Sequence, residues 1–250
     1  MSFPLVFEFG SYTVTAHAVL EAMAFFIGFR YFLYLRKKKG DHYNTSSRIW
    51  VIIGAIFGAL IGSRLLGSLE RPAELSMTDD IVMYIYSNKT VVGGFLGGLF
   101  GVEMVKKLIG EKKSSGDLFV YPMILALVIG RLGCFSMGVF EETYGLPSLL
   151  PWAMDLGDGI SRHPVTLYEI VFLIILWIML NRLNKNSQMQ QGGLFKLFMI
   201  SYLAFRFLLD FIKPHYPVML GLSSIQLACF GGLIYYLPFI IQPIKRKVYA

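Results

Sequence analysis

Short clusters of basic residues alternate with long apolar stretches along this chain, and this alternation limits what it can fold into. Fifteen of its 23 Lys and Arg residues belong to four clusters. The clusters are Arg36 to Lys39 with Arg48; Lys106, Lys107, Lys112 and Lys113; Arg182, Lys185 and Lys196; and Lys245 to Lys247. Short basic loops remain on the cytoplasmic side of a membrane. The pattern therefore predicts a chain that crosses a membrane several times.

Seven apolar stretches approach the length of about 20 residues that a helix needs to cross a bilayer. They cover residues 13–35, 49–69, 90–108, 118–140, 165–180, 194–211 and 225–241, and the fifth is expected to extend to Leu183. Basic clusters follow the first, third, fifth and seventh stretches. We therefore predict an all-α integral membrane protein, one polytopic domain over residues 1–250. It has seven transmembrane helices, with the N-terminus outside and the C-terminus in the cytoplasm.

Two of the predicted outer connections are long, residues 70–89 and 141–164. The second contains Pro147, Pro151 and Pro164 together with Gly157 and Gly159, which prevent a continuous helix. It also contains Trp152, a residue type that is enriched where a membrane meets water. We expect an outer loop over 141–164 with a segment that lies at the membrane interface.

The composition excludes several classes of protein. Hydrophobic residues make up 55% of the chain and charged residues only 16%, unlike an ordinary soluble domain. The net charge of +7 lies mostly in the clusters that flank membrane segments, so we predict no nucleic-acid partner. The two Cys and four His residues show no metal-ligand spacing, and no metal or other cofactor is expected. The start of the chain lacks a basic region, so the first apolar segment should remain in the mature protein.

Glycine recurs at intervals of four in the second and third apolar stretches. The second contains Gly54, Gly58 and Gly62, and the third contains the sequence GGFLGGLFG, residues 93–101. Such stripes of small residues allow two membrane helices to approach closely, so these two are predicted to pack together. The alternative is that the amides of Gly93 and Gly94 approach a phosphate.

Arg64, Arg131 and Arg206 lie within the apolar stretches, although a guanidinium in hydrocarbon costs at least a few kcal/mol. At 1.5 Å per helical residue, Arg64, Arg131 and Arg206 all fall in the outer half of the bilayer, and Tyr168 and Glu169 lie about one turn below its outer surface. Arg grips phosphate with a planar fork of donors. We predict that these Arg side chains line one cavity, with Arg131 and Arg206 near enough to share one phosphate.

The neighbours of these Arg residues add detail. Gly133 and Gly138 should bring the backbone close to whatever Arg131 holds, because they lack side chains. Tyr202 and Arg206 are four residues apart and therefore share one helix face. Asp210, a further four residues on, is expected to pair with Arg206.

Five motifs, in this order along the chain, resemble those of bacterial prolipoprotein diacylglyceryl transferases. GALIGSRLLG resembles the family's G-x-x-x-G-G-R-x-x-Y, and GRLGCFSMG its signature G-R-x-G-N-F-x-N-G. RHPVTLYE resembles R-H-P-x-Q-x-Y-E, SYLAFR resembles G-Y-x-x-F-R, and SSIQ resembles S-x-x-Q. The resemblance covers nearly the whole chain.

The resemblance implies a transfer in the bacterial cytoplasmic (inner) membrane. The cysteine thiol of a lipobox, carried by a preprotein signal peptide, attacks the glycerol of phosphatidylglycerol and releases glycerol phosphate. Arg131 and Arg206 match the phosphate-handling Arg residues of the family, and Tyr202 matches a nearby hydrogen-bond donor. Arg64 matches an Arg that positions substrate.

The matched motifs assign further residues to substrate binding: Gly133, Gly138, Arg162, Tyr168 and Glu169. The chain also departs from the family. Val92 occupies the place of a third-helix His proposed as the base, and Cys134 and Ser136 replace two Asn residues. Thr166 replaces a Gln, and Glu21 falls near a first-helix Tyr. Candidates for the missing base are His163, Glu21, Glu141 and Glu142.

Two alternatives remain open from the sequence. The chain could be a paralogue that moves the lipid-derived group onto another acceptor. It could also be a non-catalytic membrane protein that binds or carries phospholipid. A carrier usually contains two similar halves with broken helices, and this sequence has no such repeat.

Overall fold

A computed structural model of the chain describes residues 3–10, 12–186, 189–214 and 216–241. The helices are α1 (Ala16–Lys39), α2 (Thr45–Ser68), α3 (Pro72–Met77), α4 (Ile81–Ser87), α5 (Val91–Leu108), α6 (Val120–Met137), α7 (Val165–Asn186), α8 (Gly193–Leu209) and α9 (Ser224–Ile241). Strands β1 (Val6–Phe9) and β2 (Tyr12–Thr15) form one antiparallel pair, and β3 (Met154–Asp155) and β4 (Ser161–Arg162) form another. The predicted basic cluster at Lys245 to Lys247 lies outside the described residues.

Each of the seven apolar stretches forms a long helix: α1, α2 and α5 to α9. Five helical segments are long and apolar enough to cross a membrane: Ala16–Lys39, Thr45–Ser68, Asp117–Phe140, Val165–Asn186 and Ser224–Ile241. The other two helices are less typical of a span, because α5 ends in a charged turn and α8 has only 17 residues. The chain is therefore a helical, multi-pass membrane protein.

Local sequence signals account for where several helices begin. Thr15, Asn44 and Thr90 are extended residues whose side chains accept hydrogen bonds from the amides at the starts of α1, α2 and α5. Such caps satisfy backbone donors that have no partner within the helix. The basic cluster at Arg36 to Lys39 forms the last turn of α1, where positive charge interacts favourably with the negative end of the helix dipole. The cluster therefore continues the helix past the predicted end at residue 35.

The predicted packing of the two glycine-rich helices is confirmed. A Cβ atom added at Gly58 would overlap the carbonyl oxygen of Gly97, and one added at Gly101 would overlap that of Gly54. The two backbones are thus in direct contact through their glycines. This contact joins α2 and α5 into a pair, and α1 forms a second pair with α6.

The core lies among α6, α7, α8 and α9. Ile124, Leu173, Phe198 and Cys229, one from each of these helices, have no exposed surface. The described parts of α1 and α2 instead face a large cavity across most of their length. The molecule is therefore packed on one side and open between α1 and α2 on the other.

The connections between the helices collect at two ends of the bundle. At the first, the Tyr43 hydroxyl donates to the Lys113 carbonyl (2.6 Å), and the amide of Gly192 donates to Asp117 (2.6 Å). These bonds join the α1–α2, α5–α6 and α7–α8 connections, so the three described basic clusters share this "basic end". At the opposite "loop end", Arg71 forms an ion pair with Glu142.

The loop end contains more regular structure than the sequence predicts. Residues 70–89, expected to be a plain connection, form α3 and α4. The loop over 141–164 contains the pair β3–β4, with Met154 opposite Arg162. Its Trp152 is half exposed and Leu149 is fully exposed. These exposed apolar side chains are consistent with the predicted interfacial segment, which stays a prediction.

Candidate active site

A cavity of about 1270 Å³ opens between α1 and α2 and extends along the bundle. Most of its wall is apolar and comes from α1, α2, α5 and α6, for example Phe25, Phe29, Ile56, Leu60, Phe95 and Leu127. The outward-facing parts of this wall, such as Phe25 and Ile56, are more than half exposed. The loop end of the cavity is polar and contains most of its charged lining residues.

Glu169 is the centre of a buried charge cluster at this loop end. Its side chain, only 1% exposed, contacts Nε of Arg131 at 2.9 Å and Nη1 of Arg206 at 3.4 Å through the same oxygen. The hydroxyl of Tyr202 donates to the other oxygen at 2.7 Å. Residues of α6, α7 and α8 therefore meet at one carboxylate, which confirms their predicted common depth.

This cluster carries one positive charge more than Glu169 neutralises. Burying ions is costly unless charges are paired and hydrogen bonds satisfied. The Nε atom of Arg206 is buried and has no hydrogen-bond partner among the described residues. Because Arg131 and Arg206 both line the cavity and reach one shared oxygen, they are near enough to share a phosphate, as predicted.

Asp210 plays a smaller part in this balance. Its carboxylate lies 4.0 Å from Nη2 of Arg206, at the limit of an ion pair, and it accepts a hydrogen bond from the Ser223 hydroxyl. The predicted pairing is therefore present but loose. Through its contacts with Ser223 and Arg206, Asp210 joins the end of α8 to the start of α9 and helps to position Arg206.

Arg64 lines the same cavity, as predicted, but the end of α4 holds its guanidinium. That group donates to the carbonyl of Tyr86 and, at 3.5 Å, to that of Asn88. It also lies over the Tyr86 ring, 4.8 Å from the ring centre. Arg64 therefore supplies positive charge to the cavity wall and fixes α4 against α2.

A second polar cluster, which the sequence analysis did not identify, centres on His17. Its Nε2 lies 3.3 Å from Glu21, and its Nδ1 lies 3.0 Å from Glu141. The sulfur of Cys134 lies 3.8 Å from the other oxygen of Glu141. Arg131 connects the two clusters, because its Nη1 lies 3.6 Å from that sulfur.

Two glycines allow this second cluster to assemble. A Cβ at Gly133 would lie 3.4 Å from the backbone of His17, so this glycine marks where α1 and α6 come together. Gly138 has a positive φ of 59°, which glycine adopts most readily, and it turns the chain at the end of α6. That turn leads to Glu141. Both glycines thus bring His17 and Glu141 to Arg131, and neither lines the cavity.

Charged groups in the connections extend the polar region. Lys89 lines the cavity and pairs with Glu21 at 2.7 Å. Burial and the nearby charge of Arg206 lower the pKa of Lys213 to about 8. Burial raises the pKa of Glu70, which lines the cavity with Lys213. The charge of Lys213 therefore changes as the pH passes through about 8.

Three predicted site residues, His163, Tyr168 and Arg162, lie in the loop end and do not line the cavity. A ring nitrogen of His163 lies 3.2 Å from the Tyr168 hydroxyl, which accepts a hydrogen bond from Trp152 at 2.8 Å. Arg162 pairs with Asp158 at 2.6 Å. These contacts join the loop over 141–164 to α7. A direct role for Tyr168 or Arg162 in binding substrate, and for His163 as the base, stays a prediction.

Position 92 and the neighbouring glycines show how α5 contributes. Val92 is 1% exposed and belongs to the apolar core. The amide of Gly93 donates to the Thr90 hydroxyl at 3.1 Å, and the residue packs against α2. Gly94 does line the cavity. Of the two glycines predicted to approach a phosphate, Gly94 is the one with access to the cavity.

A model of the family described as prolipoprotein diacylglyceryl transferase matches residues 4–242 of this chain. Several similar proteins carry the name phosphatidylglycerol–prolipoprotein diacylglyceryl transferase. That of Bordetella bronchiseptica is 35% identical over 179 residues, 65% of this chain and 63% of its own length, so the match spans less than two thirds of it. The Cupriavidus metallidurans protein is 28% identical, covering 91% of this chain and 87% of its own. The Actinobacillus pleuropneumoniae protein is 26% identical, and the match covers 99% of this chain and 93% of its own length.

Proposed function

This chain belongs to the prolipoprotein diacylglyceryl transferase family, and on that premise we propose that it transfers a diacylglyceryl group from phosphatidylglycerol to a cysteine thiol. The acceptor is the lipobox cysteine of a preprotein signal peptide, and the second product is glycerol phosphate. One observation carries the proposal: Arg131 and Arg206 converge on one point at the polar end of a large apolar cavity.

The reaction is a single displacement at carbon. The thiol sulfur forms a bond to the terminal CH₂ of the diacylglyceryl group, and the bond from that carbon to the phosphate oxygen breaks. The electron pair of the broken bond stays on the phosphate, which leaves as glycerol phosphate, and the thiol proton passes to a base. Transfer through Cys134 would require a thioether intermediate, whose sulfur is a poor leaving group, so we assign Cys134 no covalent step.

The donor lipid occupies the cavity with its phosphate at Arg131 and Arg206. Fixed donors aimed at a leaving group lower the barrier most when charge develops on that group, and a guanidinium binds phosphate through two parallel hydrogen bonds. The apolar wall accommodates the acyl chains, which enter between α1 and α2. Tyr202 and Glu169 hold the two Arg side chains in position rather than contacting the lipid.

The acceptor thiol approaches from the side of His17, Glu21 and Glu141. Arg131 lies between this cluster and the phosphate position, since it contacts both Glu169 and Cys134. A thiol is a weak nucleophile until it loses its proton. The His17 cluster therefore supplies the thiol-activating function, for which it is better placed than His163. Arg64, Gly94 and Lys89 complete the cavity wall, and Gly133 and Gly138 position the cluster.

In the membrane, all seven long helices cross the bilayer, with the N-terminus outside and the C-terminus in the cytoplasm. The basic end then faces the cytoplasm, and the reaction takes place near the outer leaflet of the bacterial inner membrane. Two observations support this orientation: the described basic clusters share one end, and the polar end of the cavity is at the other.

Complementation of a conditional transferase knockout tests the proposal in cells, and a purified assay tests it directly. The assay uses vesicles containing phosphatidylglycerol and a peptide with a lipobox. We expect glycerol phosphate release that depends on the peptide thiol and stops when the peptide Cys is replaced by Ser. Release with other thiols only would indicate a different acceptor. Lipid binding without release under any condition would indicate a carrier.

A further inference from the structure

We propose that His17, Cys134 and Glu141 bind a single zinc ion on the acceptor side of the cavity. These residues come from α1, from α6 and from the loop that follows α6, and each offers one ligand atom. Binding of the ion depends only on these three side chains. Its role in activating the acceptor thiol rests on the proposed function.

The spacing of the ligand atoms matches a tetrahedral zinc site. The imidazole nitrogen, the thiol sulfur and a carboxylate oxygen all lie within 4.8 Å of one another. The Nδ1 atom of His17 is 3.0 Å from one oxygen of Glu141, and the Cys134 sulfur is 3.8 Å from the other oxygen. Zinc bonds of about 2.0 Å to nitrogen or oxygen and about 2.3 Å to sulfur place tetrahedral ligands at roughly such separations.

The contact between His17 and Glu141 lacks a well-formed hydrogen bond. Nε2 of His17 lies 3.3 Å from Glu21, and Nδ1 lies 3.0 Å from Glu141. Both Nδ1 and the facing oxygen of Glu141 are buried, and neither has a hydrogen-bond partner among the described residues. A zinc ion between these two atoms satisfies both and also reaches the nearby sulfur of Cys134.

The surroundings contain the support that metal ligands usually have. Zinc-binding His residues typically donate their other ring N–H to a carboxylate, which fixes the tautomer. Glu21 takes that place, and Lys89 holds Glu21 at 2.7 Å. Arg131 lies 3.6 Å from the Cys134 sulfur, where its positive charge favours a thiolate.

Charge and ligand type both favour zinc. A thiolate and a carboxylate neutralise a divalent ion, and Arg131 shares the negative charge of Glu169 with Arg206. Mixed nitrogen, sulfur and oxygen ligands suit zinc better than magnesium or calcium, which bind oxygen. The three ligands line the cavity, and a fourth coordination position is open toward it.

An open position next to three protein ligands is typical of catalytic zinc. The acceptor thiol binds there as a thiolate, because coordination deprotonates a thiol. Its proton passes to water in the cavity. The zinc-bound sulfur then forms the bond to carbon, the carbon–oxygen bond breaks, and its electrons remain on the phosphate held by Arg131 and Arg206. Zinc thus takes over the thiol activation that the family assigns to the residue replaced by Val92.

Metal analysis of the purified protein, without an activity assay, tests the site. We expect about one zinc ion per chain, and Co²⁺ in its place should give a thiolate-to-metal absorption band. Cys134→Ser should abolish this band and His17→Ala should weaken metal binding at least tenfold. Cys229→Ser is the matched control, because the only other Cys is buried in α9; it should leave the band unchanged.

A second measurement needs no variant. Added Zn²⁺ should protect Cys134 of the parent protein from alkylation, as detected by mass spectrometry. Absence of metal in the parent together with no Co²⁺ band would overturn the proposal and indicate a protonated His17 between two carboxylates. A band that persists in Cys134→Ser, or no protection by Zn²⁺, would also overturn it. Stoichiometric zinc in a protein without transferase activity would support the site and contradict the proposed function.

Discussion

Arg131 and Arg206 test the proposed phosphate site at the scale of single residues. If both guanidinium groups stabilise the leaving phosphate, Arg131→Lys and Arg206→Lys should each slow transfer by a factor of about 10² to 10³. The loss should approach that of Arg→Ala, because a point charge does not reproduce a planar fork of donors. Glycerol phosphate release measures the rate. Arg182→Lys, an exposed residue near the basic end of α7, is the control and should be unchanged. Parental rates in both variants would mean that the two Arg residues stabilise the fold rather than the substrate.

Glu169 is expected to matter mainly for stability. Glu169→Gln removes the charge that compensates Arg131 and Arg206, and loss of one partner of a buried ion pair typically costs about 3–5 kcal/mol. Thermal unfolding in detergent should therefore shift to a clearly lower temperature. Glu103→Gln is the control, since Glu103 is half exposed and pairs with Lys106 near the surface. Equal melting temperatures for the two variants would contradict the assigned role of Glu169.

Lys213 gives the cavity a dependence on pH. Its pKa of about 8 means that the side chain loses its positive charge as the pH rises through that value. Arg206, Glu70, Asp210 and Arg131 are the charged groups that act on it. Binding of anionic phosphatidylglycerol should weaken from pH 7 to pH 9, as measured on vesicles by a fluorescent lipid analogue. The Lys213→Arg variant keeps its positive charge and should bind phosphatidylglycerol equally at pH 7 and pH 9. The same decline in Lys213→Arg would assign the titration to another group.

At the scale of helices, the glycine contact between α2 and α5 sets the wall of the cavity. Gly58→Ala forces a Cβ against the backbone of Gly97, and overpacking of this kind typically costs about 1–3 kcal/mol. Gly231→Ala on α9 is a matched control with nothing within 4 Å of its added Cβ. It should be neutral or stabilising, because alanine favours helix by up to about 1 kcal/mol over glycine. The melting temperatures in detergent measure the difference, and equal values for the two variants would show that α2 and α5 tolerate separation.

At the scale of the whole molecule, the orientation is open to direct labelling. In a background of Cys134→Ser and Cys229→Ser, a cysteine at Ser148 should react with an impermeant reagent in intact bacterial cells whose outer membrane is permeabilised. Cysteines at Lys112 and Lys185 should react only after lysis of the inner membrane. Labelling of Lys112→Cys in intact cells would invert the proposed topology.

The helices and the main charge cluster could be predicted from the sequence. The lengths of the apolar stretches predicted the seven long helices. A chain segment in lipid must hydrogen-bond its own backbone N–H and C=O groups, and a continuous helix does so. Equal depth predicted that Arg131 and Arg206 would meet, since the rise of a helix is fixed. The stripe of Gly54, Gly58 and Gly62 predicted the contact with α5, because glycines four residues apart lie on one helix face. Each of these features can be predicted from the spacing of residues along a single helix.

The set of residues on the acceptor side of the cavity depends on how the helices pack and could not be predicted from the sequence. His17, Cys134 and Glu141 are far apart in the sequence, and no spacing rule connects them. They meet because Gly133 allows α1 to approach α6 and Gly138 turns the chain back toward it. The spacing of His17 and Glu21 on one helix face was the single local signal of this cluster. Contacts between distant helices and loops depend on the packing of the whole fold, so they cannot be predicted from the separate segments.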